Sequence, residues 1–355
     1  MNSIKNTHEL VLENFGMKYF QNCDYEGRFP NDYFDALKSN DALYHLINDY
    51  ESVCSFSEIA SLIGKYSISA SLCWVMHNQQ SNAIHQLNHP LYCELLSKQC
   101  LIASVTSEYG ERSCNALTEL DNGLRVERQA PVCSYRTHAD FFIVSMRHKD
   151  LTSSERYLIL LPKESITPID GFHLTSTRST CSGPINIDIL ISPQQVIGKL
   201  SAVFSSVFVP IGHIGWMSSY HGGLSGVLSK VRSSIRDKNS TLKKKTYGEL
   251  FCNRIAQAIA LEYINECLIC DVMNKIYGIS DGYSGLPLNI IKTEVSRNIR
   301  NAACLLEDAL GSKYIMTPFD ELGAEIFCRD ARSASLMVHN DMFYRDIFDL
   351  WLLKR

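Results

Sequence analysis

The sequence predicts an α+β protein in which a strand-rich middle is set between two helical regions. Apolar residues recur at helical spacing through residues 1–100, and short β-branched runs separated by turn residues fill residues 101–198. The helical period returns over residues 199–355. We therefore expect an N-terminal helical domain, a central antiparallel β-barrel or sandwich, and a C-terminal bundle of antiparallel helices, with domain boundaries near residues 100 and 198.

Length and composition fit a globular protein without a polyanion partner. The chain has 355 residues, 45% of them hydrophobic, and a net charge of −4, so it has a large core to bury and no basic field for nucleic acid. No run of eighteen apolar residues and no signal-peptide core are present, and we expect a cytoplasmic protein without a membrane partner.

The thirteen cysteines are scattered and are expected to be reduced thiols. The close pair Cys267 and Cys270 has no second pair at zinc-site spacing. We therefore predict core packing for this pair and no metal site.

Helix signals dominate the first hundred residues. Asn6–Glu9 offers an N-cap for a helix through Phe15, and a second helix is predicted from Asn31 to Leu37. A third is predicted to begin at Ser55 or Ser57 and to continue to Met76. Its apolar residues are too many for one face, so we expect it to be nearly buried.

The middle region contains a series of short strand signals that end in hydroxyl-bearing residues. The predicted strands are Leu101–Val105, Leu124–Glu127, Pro131–Ser134, Phe141–Met146, Tyr157–Leu161 and Ile185–Ile191. Hydroxyl groups follow the first and third of these strands, and a further hydroxyl-rich turn spans Arg178–Gly183. Polar side chains and free backbone amides at strand ends suit a flat polar ligand.

The last part of the chain predicts long helices. Phe204–Leu228 is one apolar stretch whose five glycines would let helices pack closely, and Pro210 would kink it. Arg232–Lys245 indicates a polar loop or a frayed helix end. The remaining predicted helices are Tyr247–Tyr277, Leu288–Leu310, Ile326 to about Leu336, and Phe343–Leu353.

Five segments in order resemble motifs of the acyl-CoA dehydrogenase flavoprotein family. They are the S/T-E-x-x-x-x-S segment within Thr106–Ser113, the strand before HADFFIVSMR at 138–147, TRSTCSG at 177–183, KKTYGEL at 244–250 and CRDARSAS at 328–335. The resemblance implies that family's three-part fold and FAD as cofactor. It also implies a homodimer or homotetramer, an acyl thioester of coenzyme A or a carrier protein as substrate, and possible transfer of electrons to an acceptor flavoprotein.

The resemblance also implies cofactor-binding residues. Those for the flavin ring are Thr106, Ser107, Ser113, Val132 and Cys133. Asn340, near the end of the chain, is a further cofactor-binding residue. Those for the pyrophosphate are Lys244, Thr246 and Tyr247. A cysteine stands where the family has the hydroxyl that faces the reactive flavin nitrogen, and a lysine replaces the family's arginine. The alternatives are that the serines cap a turn and that the lysines belong to a solvated loop.

The position of the catalytic base is the main departure from the family pattern. Counting from Arg329-Asp330-Ala331-Arg332, the family's glutamate falls on Val338, and its alternative place near Ser205 has no carboxylate either. The nearest titratable residues, His339 and Asp341, are therefore the candidate catalytic residues, with a surface role as the alternative. Ile255 and Gly311-Ser312 replace a glutamine and a Gly-Gly pair that contact the cofactor in the family.

Three functions follow from these observations. The first is α,β-dehydrogenation of an acyl thioester by a flavoenzyme, in which a hydride passes to the flavin. The second is a flavin-dependent monooxygenase on the same scaffold, supplied with reduced flavin from outside. The third is a catalytically degenerate homologue that binds a ligand or partner without turnover.

Overall fold

The computed structural model describes residues 2–106, 116–147, 155–246, 248–278 and 285–353. Helices fill the first hundred residues, strands lie between Ile102 and Lys199, and helices follow to Leu353. The predicted α+β fold class is confirmed. The predicted ligand residues Ser107, Ser113 and Tyr247 lie outside the described residues.

Five helices form the N-terminal region: α1 (Asn2–Glu26), α2 (Asn31–Ser39), α3 (Tyr50–Tyr66), α4 (Ile68–Gln86) and α5 (Tyr92–Ser97). The prediction of one helix from Ser55 or Ser57 to Met76 is wrong. Asp49 caps α3 by accepting a hydrogen bond from Ser52 N, and Ser67 ends α3 and caps α4. A hydroxyl that caps the next helix thus divides an apolar pattern that is continuous in sequence.

In the described part of the middle region, the strands form two four-stranded sheets. The strands are β1 (Ile102–Val105), β2 (Ala116–Leu120), β3 (Gly123–Cys133), β4 (Phe141–Arg147), β5 (Arg156–Pro162), β6 (Thr167–Pro168), β7 (Gly183–Ile191) and β8 (Val196–Lys199). One sheet has the order β1-β4-β5-β8 and the other β2-β3-β7-β6. The pairs between these described strands are antiparallel except β1 with β4, which is parallel. The two strands predicted over 124–134 are the single strand β3.

The C-terminal region begins with a π-helical turn and continues as a bundle. Its helices are α6 (Ser201–Val203), α7 (Val209–Arg236), α8 (Thr241–Lys245), α9 (Glu249–Met273), α10 (Gly285–Leu310), α11 (Ser312–Ile315), α12 (Ala324–Asp330) and α13 (Asn340–Leu353). The π turn, Phe204–Phe208, precedes α7, and Pro210 lies in the first turn of α7, where it causes no kink.

Close packing of α3 against α7 depends on glycine. A Cβ at Gly222 would lie 2.0 Å from Ser61 O, and one at Gly64 would lie 2.3 Å from Ser219 O. Both distances are far below van der Waals contact, so only glycine fits. The expectation that glycines let helices pack closely is confirmed, and this contact joins the N-terminal region to the bundle.

The structure also tests the predictions about the cysteines and about membrane-spanning helices. Every described cysteine is a free thiol, and Cys267 and Cys270 are exposed on α9, so the prediction that this pair packs in a core is wrong. Within the described ranges, no helix combines the length and apolarity needed to cross a bilayer.

Candidate functional site

The end of β1 places a pair of hydroxyls next to the neighbouring strand. Thr106 directly follows β1, and its Oγ1 lies 2.9 Å from Ser104 Oγ. Ser145 of β4 donates a hydrogen bond to Thr106 O at 3.1 Å. Because β1 and β4 run parallel, this cross-strand bond fixes the backbone at the point where Thr106 leaves the sheet. The predicted ligand residue Thr106 is thus half-buried and held at a strand end.

The end of β3 separates two predicted ligand residues onto opposite sides. Val132 is 45% exposed, whereas Cys133 is buried in the core and its Sγ donates to Ser134 O at 3.6 Å. Burial raises the pKa of Cys133 to about 12, so the side chain is a neutral thiol at physiological pH. The pairing of β3 with β7 is irregular between Ala130 and Cys133, the same part of the strand that contains the exposed Val132 and the buried Cys133.

Three hydroxyls that are not among the predicted ligand residues form a hydrogen-bonded chain next to Cys133. Thr180 Oγ1 lies 2.7 Å from Ser182 Oγ, which lies 2.9 Å from Ser134 Oγ. Thr180 O accepts a bond from Tyr135 N at 2.7 Å. The hydroxyl-rich turn at 178–183 was the sequence signal for this cluster, but its partner, Ser134, lies about fifty residues away in sequence.

The end of the chain is built around a buried lysine. Lys292 of α10 donates from Nζ to Val338 O at 2.6 Å and to Asn340 Oδ1 at 2.8 Å. Asn340 is itself buried and exchanges hydrogen bonds with Ser296. The predicted cofactor ligand Asn340 therefore has its side-chain oxygen and nitrogen satisfied within the protein, and Val338 is held by its backbone carbonyl.

Burial decides the charge properties of this cluster. It lowers the pKa of Lys292 to about 8, and no carboxylate contributes to the shift. His213 of α7 donates from its ring to Leu288 O at 3.1 Å, and its pKa is lowered to about 3, mainly by burial and also by Lys292. His213 is therefore a neutral imidazole beside a cation whose described hydrogen-bond acceptors are uncharged.

The candidate catalytic residues His339 and Asp341 lie on the surface of the chain. Their side chains are 51% and 82% exposed, and His339 Nδ1 lies 3.3 Å from Asp341 Oδ2. The two neighbouring side chains at 339 and 340 thus point to different environments, because Asn340 faces the Lys292 cluster. An exposed contact of this kind contributes little to stability.

The lysines of α8 have different environments. Lys245 donates from Nζ to Ala309 O at 3.2 Å and to Leu310 O at 2.5 Å, at the C-terminal end of α10. Lys244, the predicted phosphate ligand, is exposed, and Thr246 Oγ1 donates to Lys243 O at 2.7 Å. Lys245 stabilises the negative end of a helix dipole, which leaves Lys244 pointing to solvent.

The structure also shows the surroundings of the other residues that differ from the family pattern. Ile255 is buried in the bundle core, and Gly311 follows α10 with φ of +78°, a conformation that favours glycine. Ser205 is exposed in the π turn. The carbonyl of Phe208, at the end of that turn, accepts a bond from the side chain of Gln79 on α4 at 2.6 Å.

Hydrogen bonds thus divide the site residues into three groups: strand ends with Thr106, Cys133 and the hydroxyl chain, the end of the chain with Val338 and Asn340, and the basic turn with Lys244 and Thr246. Among the residues that the structure describes, no three His, Cys, Asp or Glu side chains are arranged to hold a metal ion.

Comparison with solved structures identifies the fold. FMN-bound dibenzothiophene monooxygenase from Paenibacillus sp. A11-2 superposes with a TM-score of 0.82 at 16% identity, over 99% of this chain and 98% of the other. Butyryl-CoA dehydrogenase from Megasphaera elsdenii gives 0.81 at 14% identity over 99% of both chains. Methanesulfinate monooxygenase from Pseudomonas fluorescens gives 0.80 at 12% identity, over 100% of this chain and 98% of the other.

These similarities show that the chain has the acyl-CoA dehydrogenase fold over its whole length. No protein-family model matches the sequence, and no curated protein matches it. The fold is therefore shared by a dehydrogenase and by monooxygenases at nearly equal structural similarity, and the choice between these activities depends on the residues of the site.

Proposed function

We propose that this protein is a flavin-dependent monooxygenase that uses reduced flavin supplied by a separate reductase. Two of the three structural neighbours described above are monooxygenases, and one of them holds FMN. The bound flavin would supply the redox chemistry with oxygen. The residues of this chain would bind the ring, keep water away and orient the substrate.

The observation that carries this proposal is the absence of a carboxylate at the position of the dehydrogenase base. Acyl-CoA dehydrogenation needs a base within hydrogen-bond distance of the substrate α-proton. Val338 has no titratable group, and the described acceptors around Lys292 are a backbone carbonyl and an amide. Burial lowers the pKa of Lys292, and no described carboxylate offsets this effect.

The same cluster contains a proton donor, the Lys292 ammonium, where a dehydrogenase would need a base. Lys292 as an ammonium donates hydrogen bonds to Val338 O and Asn340 Oδ1. Its charge also contributes to the lowered pKa of the neutral His213. A cationic and neutral environment favours the accumulation of negative charge on a bound group and disfavours removal of a proton by the protein. This chemistry suits oxygen activation better than α-proton abstraction.

The flavin would lie against the ends of the central strands. Thr106 and the chain Thr180–Ser182–Ser134 present hydroxyls there, and Lys244 with Thr246 would bind the phosphate groups. FAD remains our proposal for the cofactor because it has the pyrophosphate that a basic turn would recognise, and FMN is the alternative.

The proposed assembly is a homodimer or homotetramer. Alpha helix α13 exposes several large apolar side chains in the single chain, namely Met342, Tyr344, Phe348, Trp351, Leu352 and Leu353. Leu250, Ile259 and Tyr263 are similarly exposed on α9. Apolar surface of this extent supports contacts between subunits.

The test is to mix the purified protein anaerobically with reduced FAD or FMN and then add oxygen. We expect tight binding of reduced flavin and slower release of hydrogen peroxide than from free flavin. With ¹⁸O₂ and a panel of sulfur-containing and aromatic substrates, one labelled oxygen atom should enter the product, as measured by mass spectrometry.

The competing functions give different results in the same experiment. Anaerobic bleaching of bound oxidised flavin by butyryl-CoA, with an enoyl thioester as product, would replace our proposal with dehydrogenation and electron transfer to an acceptor flavoprotein. Failure to bind oxidised or reduced flavin would favour a degenerate homologue that binds a ligand or partner.

A further inference from the structure

A buried charged cluster joins all three regions of the chain. Arg329 of α12 donates to Asp24 of α1, to Asp330 Oδ1 at 3.0 Å and to Thr175 O in the middle region at 3.1 Å. The side chains of Asp24 and Asp330 are 7% and 1% exposed. Glu325 also pairs with Arg329, at 3.0 Å. A three-way contact of this kind fixes how the N-terminal helices, the sheets and the bundle meet.

Asp330 also stabilises an unfavourable backbone conformation at Thr177. Its Oδ1 accepts a hydrogen bond from Thr177 N at 2.7 Å. Thr177 has φ of 49° and ψ of 44°, the left-handed region that β-branched residues rarely occupy. Cys181, at the other end of the same 3₁₀ turn, is also left-handed. The turn from Thr177 to Cys181 therefore needs external contacts to persist.

The same turn determines where the hydroxyl chain lies. Thr177 O accepts bonds from Thr180 N at 3.0 Å and from Thr180 Oγ1 at 2.8 Å. Thr180 Oγ1 contacts Ser182, which contacts Ser134 at the end of β3. A continuous series of hydrogen bonds thus runs from Asp330 in α12 to the strand end beside Cys133.

We propose that Asp330 is a positioning residue that holds the turn Thr177–Cys181 and thereby sets the hydroxyls of Thr180, Ser182 and Ser134 against the flavin. The assignment of the flavin to this strand end rests on the proposed function. The hold of Asp330 on the turn depends only on the contacts above, so the two parts are tested separately.

Hydrogen–deuterium exchange of the full chain without flavin tests the first part. Asp330→Ala removes the acceptor for Thr177 N–H, and we expect exchange of the amides of Thr177–Ser182 to become at least tenfold faster. Asp330→Asn keeps a side-chain oxygen at that place and should restore slow exchange to within about threefold of the wild type. Asp349→Asn, which removes the exposed partner of Arg345, is the matched control and should leave the turn unchanged.

Unchanged exchange in Asp330→Ala, or equal acceleration in Asp330→Asn, would overturn the positioning role. If Asp330→Ala does not fold, Thr177→Pro supplies a second variant: it removes the donated N–H and excludes the left-handed conformation, so the turn should again exchange faster. Slow exchange in a folded Thr177→Pro protein would also overturn the proposal.

Flavin affinity tests the second part. We expect the dissociation constant for reduced flavin to rise about tenfold in Asp330→Ala and to stay within about twofold of the wild type in Asp330→Asn. Wild-type affinity in a variant whose turn exchanges faster would overturn the link between the turn and the flavin. If the wild type binds no flavin, the proposed function fails, and the exchange data alone decide the role of Asp330.

Discussion

Two buried cations in this protein are stabilised in different ways. Arg329 lies among three carboxylates, those of Asp24, Glu325 and Asp330. Among the described residues, the partners of Lys292 are uncharged, namely two oxygens and the ring of Phe343 at 5.4 Å. The arginine pKa is raised and the lysine pKa is lowered to about 8. The first cluster holds regions of the chain together, whereas the second leaves a titratable amine at the candidate site.

The difference follows from how each charge is compensated. A guanidinium binds several carboxylates at once through its planar fork, so a permanent charge can be buried at a joint between regions. An ammonium without a counterion is unstable in the interior and releases its proton more easily. Removal of the arginine should therefore leave buried acidic groups without their cation, whereas removal of the lysine should abolish a pH-dependent contribution to stability.

The largest effect is expected from Arg329→Ala. The change leaves the carboxylates of Asp24 and Asp330 buried without their cation, which should reduce the free energy of unfolding by about 3–5 kcal/mol. Urea denaturation at pH 7 measures this quantity. Arg345→Ala breaks an exposed pair with Asp349 and should cost less than about 1 kcal/mol. Equal losses in the two variants would show that the cluster is not the joint we describe.

Acidification tests the neutral histidine beside Lys292. His213 has a folded pKa of about 3 against about 6.5 in the unfolded chain, so it takes up a proton more readily when unfolded. Its contribution to stability is complete above pH 6.5 and is lost as the pH falls towards 3. Between pH 7 and 4.5 this loss amounts to about 2–3 kcal/mol.

His213→Asn should therefore lose about 2–3 kcal/mol less stability than the wild type over that pH interval, as measured by urea denaturation at both pH values. The exposed His339→Asn is the control and should follow the wild type. The same pH dependence in His213→Asn and the wild type would mean that the imidazole does not titrate as a buried group.

Alkaline pH tests Lys292 itself. Its pKa is about 8 in the folded chain and about 10.4 when unfolded, so the unfolded chain binds the extra proton between these values. Its contribution to stability is complete above the unfolded pKa and is lost as the pH falls through 8. Wild-type stability relative to Lys292→Met should thus rise by about 2 kcal/mol between pH 7 and 9.5.

Lys275→Met is the matched control, because Lys275 forms an exposed pair with Asp271. Its stability relative to the wild type should not change over the same pH interval. A constant difference between the wild type and Lys292→Met would indicate that Lys292 keeps an ordinary pKa and is not a buried amine whose described acceptors are uncharged.

Sequence patterns predicted the order of helices and strands well because each region has its own hydrophobic period. They failed where a single polar residue divides a continuous pattern, as Ser67 does between α3 and α4. The candidate site was predicted less completely. The hydroxyl-rich turn was visible, but its link to Asp330 spans about 150 residues, and no local spacing reports a contact of that length.

Neighbouring residues at the site illustrate the same limit. Sequence position favoured Lys244 over Lys245 as the phosphate ligand, and it made the neighbours His339 and Asn340 a catalytic and a cofactor-binding candidate. The structure separates each pair, because Lys245 and Asn340 contact α10 while Lys244 and His339 are exposed. Helix geometry sends successive side chains in directions about 100° apart, and the sequence does not say which direction meets a neighbouring helix.

The smallest expected effect separates the two lysines of α8. Lys245→Ala removes the amine that binds the last carbonyls of α10 and should lower the free energy of unfolding by about 1 kcal/mol. Lys244→Ala removes an exposed side chain and should change it by less than about 0.5 kcal/mol. If Lys244 binds the cofactor phosphates, the same variant should weaken FAD binding several-fold. Stability loss in Lys244→Ala together with unchanged FAD affinity would reverse these roles, because the structural cation would then be the one we assign to the ligand.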